Sequence, residues 1–167
     1  MSNQKTFVAI KPGFAEDDAI KNEIISTLTS KGCKILKQAY AHYTLEQAME
    51  HYSVIPERFQ VPAATYLSAS PLLALILEDN RPENEREMDF IAYVRSLQGD
   101  TRCTTPNTIR HTITTDARFA DRVASIRAKY MNKEIGIDEI STNVVHASDS
   151  EESFARETAI LERAFKN

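Results

Sequence analysis

The chain has 167 residues, 42% hydrophobic and 26% charged, with a formal net charge of −4 at pH 7. That is enough for a single domain over residues 1–167 with one sizeable core, and the acidic balance argues against a broad nucleic-acid face while permitting a local basic pocket for a small polyanion. Cys33 and Cys103 form neither a disulfide framework nor a metal-ligand spacing, residues 1–6 lack the apolar core of a signal peptide, and no run can span a bilayer. A cytoplasmic protein with no membrane attachment and no specific nucleic-acid partner is expected.

In chain order, residues 6–10 form a β-branched and aromatic run stopped by Pro12 and Gly13, which leaves Lys11 at a strand end. Residues 17–30 place Ile20, Ile24, Ile25 and Leu28 at helical spacing, with Lys31 and Gly32 closing the helix. A second strand is expected over residues 33–43. Thr44, with Gln47 three residues on, should cap a short helix reaching His51 and Tyr52. Residues 61–67 are weakly helical, and the continuous apolar run 71–77 predicts a buried strand. Residues 85–97 read as a helix ending near Gly99, residues 100–107 as a polar loop, and residues 115–130 as one helix with the stripe Phe119, Val123, Ile126 and Tyr130. Asn143, Val144 and Val145 form a short buried run that carries His146 to the start of a last helix over residues 150–165. Ser148 or Asp149 is expected to cap that helix, with Glu151 completing a capping box.

The four glycines, Gly13, Gly32, Gly99 and Gly136, are scattered. A phosphate-wrapping loop needs several glycines close together, so side chains must hold any phosphate here. An imidazole at a strand end before a helix N-terminus suits phosphoryl chemistry, because unpaired backbone N–H groups favour an anion beside it. Four strands interleaved with helices indicate an α+β fold with helices packed on an antiparallel sheet. No carboxylate or histidine cluster has metal-ligand spacing, and His42, His51 and His111 read as surface or packing residues.

Four segments, TFVAIKP at 6–12, EHY at 50–52, TIR at 108–110 and NVVHASDSEES at 143–153, resemble the nucleoside diphosphate kinase family, strongest over residues 5–99 and 106–165. The resemblance implies a ferredoxin-like sandwich and transfer of the γ-phosphoryl group of a nucleoside triphosphate such as ATP to a diphosphate such as GDP through a phosphohistidine, in ping-pong fashion. It implies His146 as nucleophile, Glu157 as the residue orienting its ring, and Tyr52 beside that carboxylate. Lys11, Arg95, Thr101, Arg110 and Asn143 match the family positions that hold phosphates and ribose. The expected cofactor is Mg2+ held by the nucleotide phosphates, with no protein-held metal. Phe59 is the candidate for stacking the nucleobase, with core burial as the alternative. Family members are usually hexamers or tetramers, so a homo-oligomer is implied. A non-catalytic nucleotide-binding or protein-interaction module of the same fold is the competing reading.

The chain departs from the family at Gly13, where aspartate is usual, and at Ala147, where glycine is usual. One residue is missing before Phe59 and two between Thr101 and Arg110. An insertion occupies about residues 111–142. Its apolar stripe is expected to pack on a neighbouring subunit or on the chain's own loop.

Overall fold

The computed structural model describes residues 3–166, so residues 1, 2 and 167 of the expected domain lie outside the described residues. Four strands, β1 (Lys5–Ile10), β2 (Cys33–Ala41), β3 (Leu72–Asp79) and β4 (Val145–Ala147), form one sheet in the order β2-β3-β1-β4. Every pairing is antiparallel, which is the α+β, ferredoxin-like sandwich the sequence implied.

The apolar runs of β1 and β3 are continuous because both faces of the sheet are covered. Val8, Ile10, Leu73, Leu75 and Leu77 point into one core with α1 (Asp18–Ser30) and α4 (Phe90–Gln98). Phe7, Ala9, Leu72 and Ala74 point into the other, against α2 (Leu45–His51), α3 (Glu57–Leu67) and α7 (Glu151–Lys166). The expected capping box forms at α2, where Thr44 and Gln47 satisfy each other's backbone N–H groups, and Asp17 caps α1 by accepting from the Ile20 N–H.

Three expectations need correction. The helix foreseen over 85–97 begins at Phe90, because Asp89 caps it through the Ile91 N–H. The residues before it are tied down by arginines instead, with Arg81 donating to the Met88 carbonyl and Arg86 to that of Arg81. An unforeseen helix, α5 (Ile109–Thr115), comes first, and the helix foreseen over 115–130 begins only at Ala120, as α6 (Ala120–Tyr130). Asp116 ends the first, and its carboxylate turns back to the Arg118 N–H. Finally, neither Ser148 nor Asp149 caps α7 and Glu151 completes no capping box: Ser150 Oγ accepts from the Ser153 N–H, and Asp149 from the Ser153 hydroxyl.

The segment over residues 111–142 folds onto its own chain. Phe119 and Val123 are buried and Ile126 packs against the first core, while Tyr130 meets the Ser70 hydroxyl at 2.7 Å and the Tyr66 ring edge-on. Arg122 pairs with Asp17 and Arg118 with Glu23, both on exposed ground. Gly13 explains itself here. Its φ is +83°, and a Cβ built on it would lie 2.5 Å from Ile126 Cγ2 and 2.8 Å from Tyr130 Cε2. Gly13 and the packing of α6 on this turn are one structural feature.

Candidate active site

His146 sits in the middle of the edge strand β4, opposite Ala9 of β1. The chain enters that strand through a tight turn in which the Val145 N–H donates to the Asn143 carbonyl at 3.0 Å, with Val144 at φ +80°. A β-branched residue in this region is strained. Three contacts hold it: the Val144 carbonyl accepts from the Lys11 N–H, the Val144 side chain is fully buried, and Arg110 clamps the carbonyls on either side.

His146 Nε2 lies 2.8 Å from Glu157 Oε2, and the Ser148 hydroxyl donates to Oε1 at 2.5 Å. Burial opposes ionisation of Glu157, yet the charge and hydrogen bond of His146, with help from His51 and Ser148, hold its carboxyl below the ordinary value. An ionised carboxylate only accepts. The imidazole proton therefore sits on Nε2, leaving the Nδ1 lone pair free, and Nδ1 has no protein partner and is not among the buried unpaired atoms. Arg156 adds a guanidinium 3.7 Å from the same carboxylate. Tyr52 ends α2 with its ring edge-on to His146, the centroids 6.2 Å apart. Burial pushes its hydroxyl well up, so it is a neutral phenol.

Beside the histidine lie two buried cations. Lys11 and Arg110 are each only 5% exposed, and neither has an acidic partner among the described residues. Lys11 Nζ donates to Asn143 Oδ1 at 2.6 Å and to the Ser141 carbonyl at 3.2 Å. Arg110 donates to Gly99, Asn143 and Val145 carbonyls and to Asn143 Oδ1. Burial, then the neighbouring Arg110, drives the Lys11 pKa well below the ordinary lysine value, and burial lowers that of Arg110 to about 10. Two desolvated positive groups facing only dipoles form a site that an anion would stabilise.

The other expected residues are nearer to solvent. Arg95 is exposed on α4, at a recess of about 420 Å³ that it shares with Asp89, Asp149 and Glu151. The Ser153 hydroxyl first, and then the charges of Arg95 and His146, lower the Asp149 pKa against its partial burial. The Thr101 side chain is exposed, and its carbonyl accepts from Asn143 Nδ2 at 3.4 Å. Phe59 is 50% exposed on α3, which rules out core burial, and the Arg58 guanidinium lies over one face of its ring, 4.6 Å from the centroid.

Sequence reasoning missed Ser148, Arg156 and His51. Ser148 looked like a helix cap, and nothing in the sequence singled out Arg156. His51, read as a surface or packing residue, is buried with its ring centroid 4.4 Å from that of His146. Its adjacency to Tyr52 at the end of α2 was the available signal.

A family profile described as nucleoside diphosphate kinase matches residues 4–166. Among curated relatives, the nucleoside diphosphate kinase of Staphylothermus marinus is 33% identical, covering 96% of this chain and 94% of the relative. That of Thermoplasma acidophilum is 30% identical, covering 95% and 87%. Among solved structures, the Aquifex aeolicus nucleoside diphosphate kinase superposes with a TM-score of 0.63 at 26% identity, covering 95% of this chain and 94% of that one. The Halobacterium salinarum enzyme, solved in complex with CDP, gives 0.64 over 95% and 86% and, at 24% identity, speaks to the fold alone.

Proposed function

The chain belongs to the nucleoside diphosphate kinase family, and from that premise we propose that His146 is the residue that carries the phosphoryl group between nucleotides. The observation that supports this most is the pairing of an imidazole held by Glu157 through Nε2 with two buried cations that lack acidic partners. His146 Nδ1 attacks the γ-phosphorus of a nucleoside triphosphate such as ATP; the P–N bond forms as the bond to the β,γ-bridging oxygen breaks, and the diphosphate leaves. The ring becomes cationic, and ionised Glu157 stabilises that charge while keeping the proton on Nε2. The diphosphate departs, a second one such as GDP enters, and its terminal oxygen takes the phosphoryl group back along the same path.

Lys11 and Arg110 neutralise the phosphoryl oxygens as charge spreads over them, with Arg95 and Thr101 at the solvent side of the phosphates and Asn143 holding Lys11 in place. Desolvation has already been imposed on Lys11, so an incoming anion strengthens its proton affinity and its hold. The half-exposed ring of Phe59 stacks the base, a contact every nucleobase can make. The donor cluster among the described residues is His51, His146 and Glu157, whereas magnesium wants an octahedron of oxygens. The ion therefore arrives on the nucleotide phosphates, where it would screen their charge.

A homo-oligomer and a cytoplasmic location are part of the proposal. The long edge strand β2, with Leu36 and Tyr40 exposed, supports the first, and the free thiols of Cys33 and Cys103 support the second. No helix among the described residues is long and apolar enough to cross a membrane. Initial-rate kinetics test the one-site mechanism: parallel double-reciprocal lines are expected, and intersecting lines would require both nucleotides to bind at once.

A further inference from the structure

His51 has no part in the transfer just described, yet it is the histidine most removed from water. Its ring is 2% exposed, neither nitrogen has a hydrogen-bond partner, and Phe7, Tyr43, Tyr52 and His146 box it in. Two orphaned nitrogens in such a box are costly, and a phenyl ring would fill the same space without that penalty. Burial first, and the charge of His146 second, bring its pKa down to about 3. Near neutral pH it is an unprotonated imidazole with a lone pair and nothing to give it to.

One donor atom from each of His51, His146 and Glu157 lies within 4.8 Å of the others. Two imidazoles and a carboxylate, with a fourth position left over, are a donor set that suits zinc and does not suit magnesium. We propose that His51, His146 and Glu157 form a zinc site whose occupancy switches the phosphoryl carrier off. The inference rests on the reading of His146 as nucleophile. Zinc enters along the exposed edge of His146 and takes the Nε2 lone pair and Glu157 Oε2, with His51 as the second nitrogen ligand. The Nε2 proton leaves, and the neutral ring regains a proton at Nδ1, so no net proton is consumed. The lone pair that attacks phosphorus is then occupied, and Glu157 no longer selects the reactive tautomer.

The test is zinc titration calorimetry, in a weakly chelating buffer, on the nucleotide-free full chain, on its His51→Phe and His51→Gln variants, and on chain already phosphorylated by ATP and magnesium. The parent should bind one zinc per chain. Both variants should lose affinity by at least about tenfold, and the phosphorylated chain should bind far more weakly than the parent. His51→Phe removes the orphaned nitrogens, so its fold is secure, and a loss of binding there reports the ligand. Equal zinc affinity in the parent and both variants overturns the site. In parallel, zinc-loaded parent should fail to take label from γ-labelled ATP, and a chelator should restore it. Undiminished labelling of the zinc-loaded chain overturns the switch, whereas absence of labelling without zinc strikes the nucleophile reading itself.

Discussion

Gly13→Ala is the substitution that most directly tests how the inserted helix is joined to the domain. The new Cβ would fall 2.5 Å from Ile126 Cγ2 and 2.8 Å from Tyr130 Cε2, at a φ of +83°. The left-handed backbone costs an L-residue about 1–2 kcal/mol, and overpacking against a branched carbon and a rigid ring costs about 1–3 kcal/mol. Together the loss is roughly 2–5 kcal/mol, a large part of the stability of a domain this size, and it lowers the melting temperature by roughly 5–20 °C. Urea unfolding of the parent, Gly13→Ala, Ile126→Ala and the double variant forms a double-mutant cycle. Removing Cγ2 relieves the tighter of the two clashes and leaves the Tyr130 contact and the backbone part, so a coupling of at least about 1 kcal/mol is expected. An equal loss from Gly13→Ala in both backgrounds would show that α6 does not rest on this turn.

Lys11→Met should separate activity from stability. Loss of the cation at the phosphates lowers turnover by about 10²-fold or more, while removal of a buried charge without an acidic partner leaves the fold as stable or more so; a variant with full turnover would make Lys11 structural. His51 sets a pH dependence. Its pKa near 3 in the fold against about 6.5 in the unfolded chain means that the unfolded state binds the extra proton as pH falls, so stability drops by about 2 kcal/mol between pH 7 and 5. In His51→Phe that part of the slope vanishes, as denaturant midpoints at the two pH values would show, and an unchanged slope would contradict a buried neutral ring. Ser148→Ala should lower turnover by about 10–100-fold by freeing one side of Glu157, with nucleotide affinity held; a raised KM at constant kcat would assign Ser148 to binding instead.

Much of the sheet was legible because burial on both faces writes itself as unbroken apolar runs, as in residues 6–10 and 71–77. The Thr44 and Gln47 capping box was legible because its chemistry is local. The start of α6 was not: the stripe Phe119, Val123, Ile126 and Tyr130 marks which face is apolar and leaves open where the first turn begins, and all of it lies beyond Asp116, which ends α5. Ser148 was misread for a related reason. A serine just before a helix has the same sequence signature whether it caps the backbone or reaches across nine residues to Glu157. Lys11, Arg110 and His146 were assigned to one site through family resemblance, since nothing in their spacing shows that a strand end, a helix start and an edge strand converge. The burial of His51 depends on the packing of α2 against α7 and the sheet, which no local pattern reports.

The central claim is that His146 itself carries the phosphoryl group, and a pulse and chase reads it most directly. The parent and His146→Asn are exposed to γ-labelled ATP with magnesium, freed of nucleotide, and chased with GDP. The parent should hold about one label per chain in an acid-labile, alkali-stable bond, as a phosphoramidate does, and release it as GTP, while His146→Asn takes up none. Label that survives acid, or that appears on the His146→Asn chain, would contradict the account.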